Sequence, residues 1–97
     1  MIAPTTPAPK FQLGQLVATP NALNQLTHEE IMLGLQRHQA GDWGDVGAED
    51  RAANNAALVE CTRILSVYHA ANGTKFWLIT ERDRSRTNVV TRRRPPS

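Results

Sequence analysis

Two runs rich in β-branched and aromatic residues, LSVYH at 65–69 and TKFWLITE at 74–81, flank Ala70-Ala71-Asn72-Gly73. Asn-Gly accepts the positive φ that a tight connection between strands requires, so this stretch predicts a hairpin and, with it, an antiparallel sheet. The second run is apolar on both sides: Trp77 alternates with Ile79, and Phe76 with Leu78. A strand of that kind is expected to lie centrally, with both sheet faces partly covered. A further turn at 82–85 leads into a last strand, RTNVVT.

Upstream the signals are helical. Thr27 and Glu30 have capping-box spacing, and Leu26 and Ile31 occupy the two positions of a hydrophobic staple, which starts a helix at His28. Ile31, Met32, Leu35 and Gln39 keep the helical period until Ala40-Gly41, where glycine can take a left-handed cap. A second helix is expected from Ala48 to Ile64, with Ala53, Ala57, Leu58, Cys61 and Ile64 along one side and Glu49 and Asp50 at the positive end of its dipole. Before these, QLGQLVA at 12–18 predicts a first strand, and Thr19-Pro20 a single helical turn through Leu23. The order β–α–α–β–β–β defines the expected class: α+β, a small antiparallel sheet with two helices packed on one face.

Ninety-seven residues suffice for one hydrophobic core. A single α+β domain is expected over 11–91, between a flexible proline-rich tail at 1–10 and a basic, proline-terminated tail at 92–97. The formal charge of +2 is concentrated in those tails: Lys10, Arg92, Arg93 and Arg94 hold four of the eleven positive charges. Residues 11–91 therefore carry seven bases against nine acids, a balance of −2, whereas a nucleic-acid-binding domain usually has a basic face within its fold. The lone Cys61 fits a reducing compartment. No apolar run approaches the roughly 18 residues that cross a bilayer, and the opening MIAPTTPAPK lacks the pattern of a signal peptide. A cytoplasmic protein without membrane contact is the expectation.

Residues 41–50, GDWGDVGAED, hold four carboxylates, three glycines and a tryptophan. Asp42 could open a calcium loop, but Gly44 and Val46 then fill positions that should ligate. The plainer reading is a tight helix-to-helix turn in which Asp42 or Asp45 caps the second helix and Trp43 either lids the core or anchors a partner. His28, His38 and His69 are too scattered for a local zinc motif, so no metal or cofactor is expected. His38 lies four residues before Asp42, within reach of it from the last helical turn, or simply favourable to the helix C-terminus. Cys61 reads as an inert packing thiol on the apolar side of the second helix. In TERDRSRT, 80–87, strand alternation would put Arg82, Arg84 and Arg86 on one side and Glu81, Asp83 and Ser85 on the other. That is either a phosphate-binding edge or a solvated turn of acid–arginine pairs, each worth no more than about 1 kcal/mol.

Taken together, GDWGD at 41–45, Glu49-Asp50, Asn54, Ala57-Leu58, RILS at 63–66 with Tyr68, NGTKFWLITE at 72–81, DRS at 83–85 and Thr87 resemble a family of short bacterial proteins common on plasmids, phages and other mobile elements. Members carry names such as plasmid-related protein or type I restriction subunit, although a chain this short holds neither a methyl-donor fold nor a nuclease core. The resemblance spans about residues 13–90; relatives end in an acidic segment where this chain has RRRPPS. The resemblance itself implies no established activity. The mobile-element association it implies, with the small size and the absence of a catalytic set in the sequence, leads to the expectation of a small non-enzymatic interaction protein, an anti-defence inhibitor of anti-CRISPR or anti-restriction type that binds a host protein complex stoichiometrically. The expected contact residues are Asp42, Trp43, Asp45, Glu49, Asp50, Glu81, Asp83, Arg84 and Arg86. Two alternatives stand beside it: a nucleic-acid-binding module using Arg82, Arg84, Arg86 and Arg92–Arg94, and a small enzyme with Asp42, Asp45, Glu81 or Asp83 as acid and base.

Overall fold

A computed structural model describes residues 8–91, so most of the N-terminal tail (1–7) and the whole basic tail (92–97), with Arg92, Arg93 and Arg94, lie outside the described residues. The chain forms β1 (Gln15–Ala18), α1 (Pro20–Gln25), α2 (His28–Gln39), α3 (Ala48–Glu60), β2 (Ile64–His69), β3 (Lys75–Thr80) and β4 (Arg86–Thr91). The strands make one sheet in the order β1-β4-β3-β2. β2–β3 is the hairpin that Asn72-Gly73 predicts, with Gly73 at φ +87° and its N–H donating to Ala70 O at 2.9 Å. β3 is central, as its two apolar sides require.

Two features differ from expectation. β1 pairs with β4 in parallel, Gln15 opposite Arg86 and Ala18 opposite Val89, so the sheet is mixed and not purely antiparallel. The two consecutive hairpins leave the far edges of β2 and β4 open, and β1 meets that of β4 across some seventy residues that no local pattern spans. There are also three helices. α1 extends past the expected single turn because Thr19 accepts a hydrogen bond from Ala22 N and Pro20 presets the first helical φ, and it stops where Leu26 turns extended into the core.

Register divides the sheet into two unlike faces. Ile64, Ser66 and Tyr68 of β2, Phe76, Leu78 and Thr80 of β3, and Thr87 and Val89 of β4 share one face and are all buried. Ala22 of α1 and Leu35 of α2 complete the larger core against Tyr68, Phe76, Leu78 and Val89; Ala57 of α3 joins Trp43 and Ile64 in a smaller one. Within α2 the residues facing in are Gly34, Leu35 and His38, while Met32 is 42% exposed. Gly34 is bare because a Cβ there would stand 3.2 Å from the Phe76 ring and 3.4 Å from Tyr68. The helices thus occupy one face only. The other carries Val17, Leu65, Val67, Trp77, Ile79 and Val90 with none of the three helices over it; there Val67 is buried and Trp77 and Ile79 are partly so.

The capping box is formed as the spacing predicts: Thr27 N donates to Glu30 Oε1 at 2.9 Å and Glu30 N to Thr27 Oγ1 at 3.1 Å. α3 stops at Glu60, before the expected Ile64, because Ile64 is needed as a fully buried strand residue. Cys61 is the cap, left-handed at φ 56° and exposed, and is not a packing thiol on the helix.

Candidate functional site

The acidic loop is fastened to the sheet. α2 ends at Gln39 with Ala40 as its cap, the chain turns at Gly41, φ +87°, and Asp42 then folds back onto the helix, its Oδ2 accepting from Arg37 Nε at 2.7 Å and its Oδ1 from Arg37 Nη2 at 3.3 Å and from Gly44 N at 3.2 Å. Arg37, and not His38, is the partner of Asp42. Its guanidinium also lies 4.4 Å over the Tyr68 ring, whose hydroxyl donates to Asp42 O at 2.5 Å. Residues 43–45 then run alongside the outer edge of β2: Val67 N donates to Trp43 O at 3.0 Å and Asp45 N to Val67 O at 2.8 Å. Farther along, Asn54 of α3 closes the same edge, its amide giving a 2.6 Å bond to Leu65 O and accepting one of 3.0 Å from Leu65 N. An edge that would otherwise be open to strand addition is thereby satisfied.

Trp43 is 4% exposed, stacks on Phe11 at 6.3 Å between centroids and donates its indole N–H to Asn55 Oδ1 at 3.0 Å. Its indole is a lid on the core and offers a partner no face. Neither Asp42 nor Asp45 caps α3; that place belongs to Gly47, which has no side chain to bond. Asp45 instead takes His69 Nε2 at 3.0 Å. The Arg37 guanidinium holds the Asp42 carboxyl below its ordinary range, and His69 does the same for Asp45, so both are carboxylates at neutral pH. Glu49 and Asp50 are exposed in the first turn of α3. Asp42 borders two shallow recesses, one of about 280 Å³ toward Arg51 and Asn55 and one of about 390 Å³ toward Asp45 and His69.

Glu81, Asp83, Arg84 and Arg86 lie elsewhere. The β3–β4 turn sits at the C-terminal end of α3, so the length of that 13-residue helix, about 20 Å, separates it from Glu49 and Asp50. Residues 82–85 form the expected turn, so the row of three arginines that strand alternation would give does not arise. Hydrogen bonding from the Ser85 side chain, and from Ser85 N to Asp83 Oδ1 at 3.0 Å, holds the Asp83 carboxyl below its ordinary range, and Arg84, at φ 60°, bends inward. Arg84 Nη1 donates to Thr62 O at 2.6 Å and Glu81 O at 3.1 Å, and Nη2 to Ala57 O at 2.8 Å. α3 has no basic residue in its last turn, and Arg84 supplies that charge from another element. Arg84→Met is expected to lower unfolding free energy by about 2 kcal/mol in a urea titration; a variant as stable as wild type would show that these bonds contribute nothing. No acid–arginine ion pair forms within this turn among the described residues.

The most connected polar group escapes a reading of the loop altogether. His38, Ser66, Thr80 and Thr87 are all fully buried and form one chain of bonds. Thr87 Oγ1 donates to Leu13 O at 2.7 Å, so Thr80 Oγ1 must be the donor in its 2.7 Å bond to Thr87. Thr80 then accepts from His38 Nε2 at 2.8 Å, which leaves Nδ1 to accept from Ser66 Oγ at 2.5 Å. Every hydrogen is assigned, and burial pushes the imidazole pKa down to about 4, with the Arg84 charge adding to the shift. A hydroxyl beside an imidazole can serve nucleophilic catalysis, but this pair has no surface and no unassigned hydrogen; it is a structural tie between α2 and three strands.

Among the described residues no three of His, Cys, Asp and Glu converge as a metal site, and no helix is long and apolar enough to cross a membrane. Neither a family model, nor a curated protein, nor a solved structure matches the chain.

Proposed function

We propose that the protein is a non-enzymatic interaction protein whose carboxylate rim, Asp42, Asp45, Glu49 and Asp50, docks on a basic, nucleic-acid-binding surface of a host complex. The observation that carries this reading is the pinning of the rim: all four carboxylates are exposed, two are held ionised, and their backbone is bonded to the edge of β2 and to α3. Fixed like charges on a stiff frame suit recognition, since complementary potential speeds and orients encounter and little ordering entropy is lost on binding. Acid–base work needs the opposite, two carboxyls whose pKa values are driven apart in a shared pocket. Here Asp42 and Asp45 shift the same way.

The mobile-element setting comes from the resemblance of GDWGD, RILS and NGTKFWLITE to plasmid and phage proteins. With it the role becomes that of a cytoplasmic anti-defence inhibitor, of anti-CRISPR or anti-restriction type, acting by stoichiometric binding. Trp43 contributes by stiffening the loop, and Glu81, Asp83 and Arg86 are a second, separate patch.

Affinity capture from the native host, followed by mass spectrometry, tests this reading. The expected catch is a complex with a basic nucleic-acid groove, inhibited on binding. The combined variant Asp45→Asn, Glu49→Gln, Asp50→Asn, which spares the Asp42–Arg37 tie, is expected to bind it at least about tenfold more weakly. Undiminished binding by that variant, or no such catch by wild type, would count against the rim.

A further inference from the structure

The sheet face turned away from the helices is apolar where a half-solvated antiparallel sheet is ordinarily polar: Val17, Leu65, Val67, Trp77, Ile79 and Val90 all point there. Val67 is already buried within the single chain, at 5% exposure, but Leu65, Trp77, Ile79 and Val90 are only partly buried and Val17 is 37% exposed. A contiguous apolar patch of this kind on a small domain marks an interaction surface. What fits it is written along β3. Outward positions 75, 77, 79 and 81 read Lys, Trp, Ile and Glu. Lys75 Nζ lies 5.5 Å over the Trp77 ring, and Glu81 Oε1 accepts from Asn88 Nδ2 at 3.4 Å, which places both charges on the outer face. A cation at one end, two apolar residues between and an anion at the other make a row that complements itself when reversed.

We propose that this face is a homodimer interface. A second copy packs sheet to sheet about a two-fold axis lying between the two sheets, running across the strands and passing β3 at Leu78. β3 then lies antiparallel over its counterpart, with Trp77 of each copy against Ile79 of the other and Lys75 of each facing Glu81 of the other. Because the axis runs across the strands, β4 covers β4 and β2 covers β2, and Leu65 and Val90 fill the seam. Two twisted sheets pack in this way about 10 Å apart. A two-fold contact is isologous, so the patch must be its own complement, and the Lys-Trp-Ile-Glu row meets that condition without adjustment. An unrelated partner would have to present the same row in reverse; a second copy has it already. Glu49 and Asp50, on the helical layer, stay outside this interface.

Light scattering on the eluting peak of a sizing column, with the full chain, tests the proposal. Wild type is expected to run as a dimer that dissociates on dilution. Lys75→Glu places two acids opposite each other, and Glu81→Lys two bases, so each variant alone is expected to raise the dimer dissociation constant at least about tenfold. Mixed in equal amounts, the two are expected to recover the dimer, since every Glu of one then faces a Lys of the other. That recovery comes only from folded chains, and circular dichroism with a thermal melt on each variant checks folding independently. A wild-type monomer at all concentrations, a dimer indifferent to both swaps, or a mixture no better than its components would overturn the assignment.

Discussion

Replacing His38 with alanine is expected to destabilise the domain by about 4 kcal/mol, a large part of the total for a chain of this size. The substitution strands the Ser66 hydroxyl and removes the donor to Thr80, and a buried polar group left unpaired costs about 1–3 kcal/mol. It also empties space against Phe11 and Trp43, whose ring centroids stand 5.1 and 6.0 Å from the imidazole. A urea titration measures the difference; a loss below about 1 kcal/mol would show that the chain of bonds is dispensable. The same residue sets an acid limit. His38 is neutral in the fold down to about pH 4, while in the unfolded chain it titrates near 6.5. Between those values only the unfolded state takes up the proton, so stability is full above 6.5 and falls as pH drops toward 4, by roughly 3 kcal/mol in all. The alanine variant, already weaker, is expected to show a flatter profile through that window.

Gly44→Val is expected to cost at least about 3 kcal/mol and to loosen the acidic loop before the rest of the domain. Gly44 stands at φ +74°, a region valine resists, and its missing Cβ would fall inside contact distance of Val67 O and at 2.6 and 2.8 Å from Tyr68 ring carbons. The loop would have to leave the edge of β2, unpairing Val67 from Trp43 and exposing the indole, so tryptophan emission should shift to the red and hydrogen exchange at Val67 should rise. Gly47→Ser is the contrast: nothing lies within 4 Å of its Cβ position, its backbone is extended, and serine supplies the missing cap of α3, so stability is expected to hold or rise by a few tenths of a kcal/mol. If Gly44→Val were as benign as Gly47→Ser, the loop would not be fastened as described.

What could be read from sequence was local. The Asn72-Gly73 hairpin, the Thr27–Glu30 box, the glycine stop at Gly41 and the strand at 86–91 each depend on residues a few positions apart. What escaped depends on partners far along the chain. The direction of β1 is set by β4, the end of α3 by Arg84, the edge of β2 by Asn54, and the fate of Asp42 by an arginine where a histidine seemed nearer. A signal for the buried network was present all the same. Ser66, Thr80 and Thr87 share the alternation of Tyr68, Phe76, Leu78 and Val89, and hydroxyls in that row require a buried partner, which His38 provides one helical turn beyond Leu35. Trp43 was ambiguous in sequence because an acidic, glycine-rich setting suits a surface anchor and a core lid equally; only the pairing of its backbone with Val67 decides.

The rim is argued to act through charge held in place, and association kinetics test that most directly. With the captured host complex immobilised, the association rate of wild type is expected to fall steeply as salt rises, and that of the Asp45→Asn, Glu49→Gln, Asp50→Asn variant to start lower and respond little, the two converging at high ionic strength. Equal rates for the two proteins at low salt, with binding intact, would contradict the account.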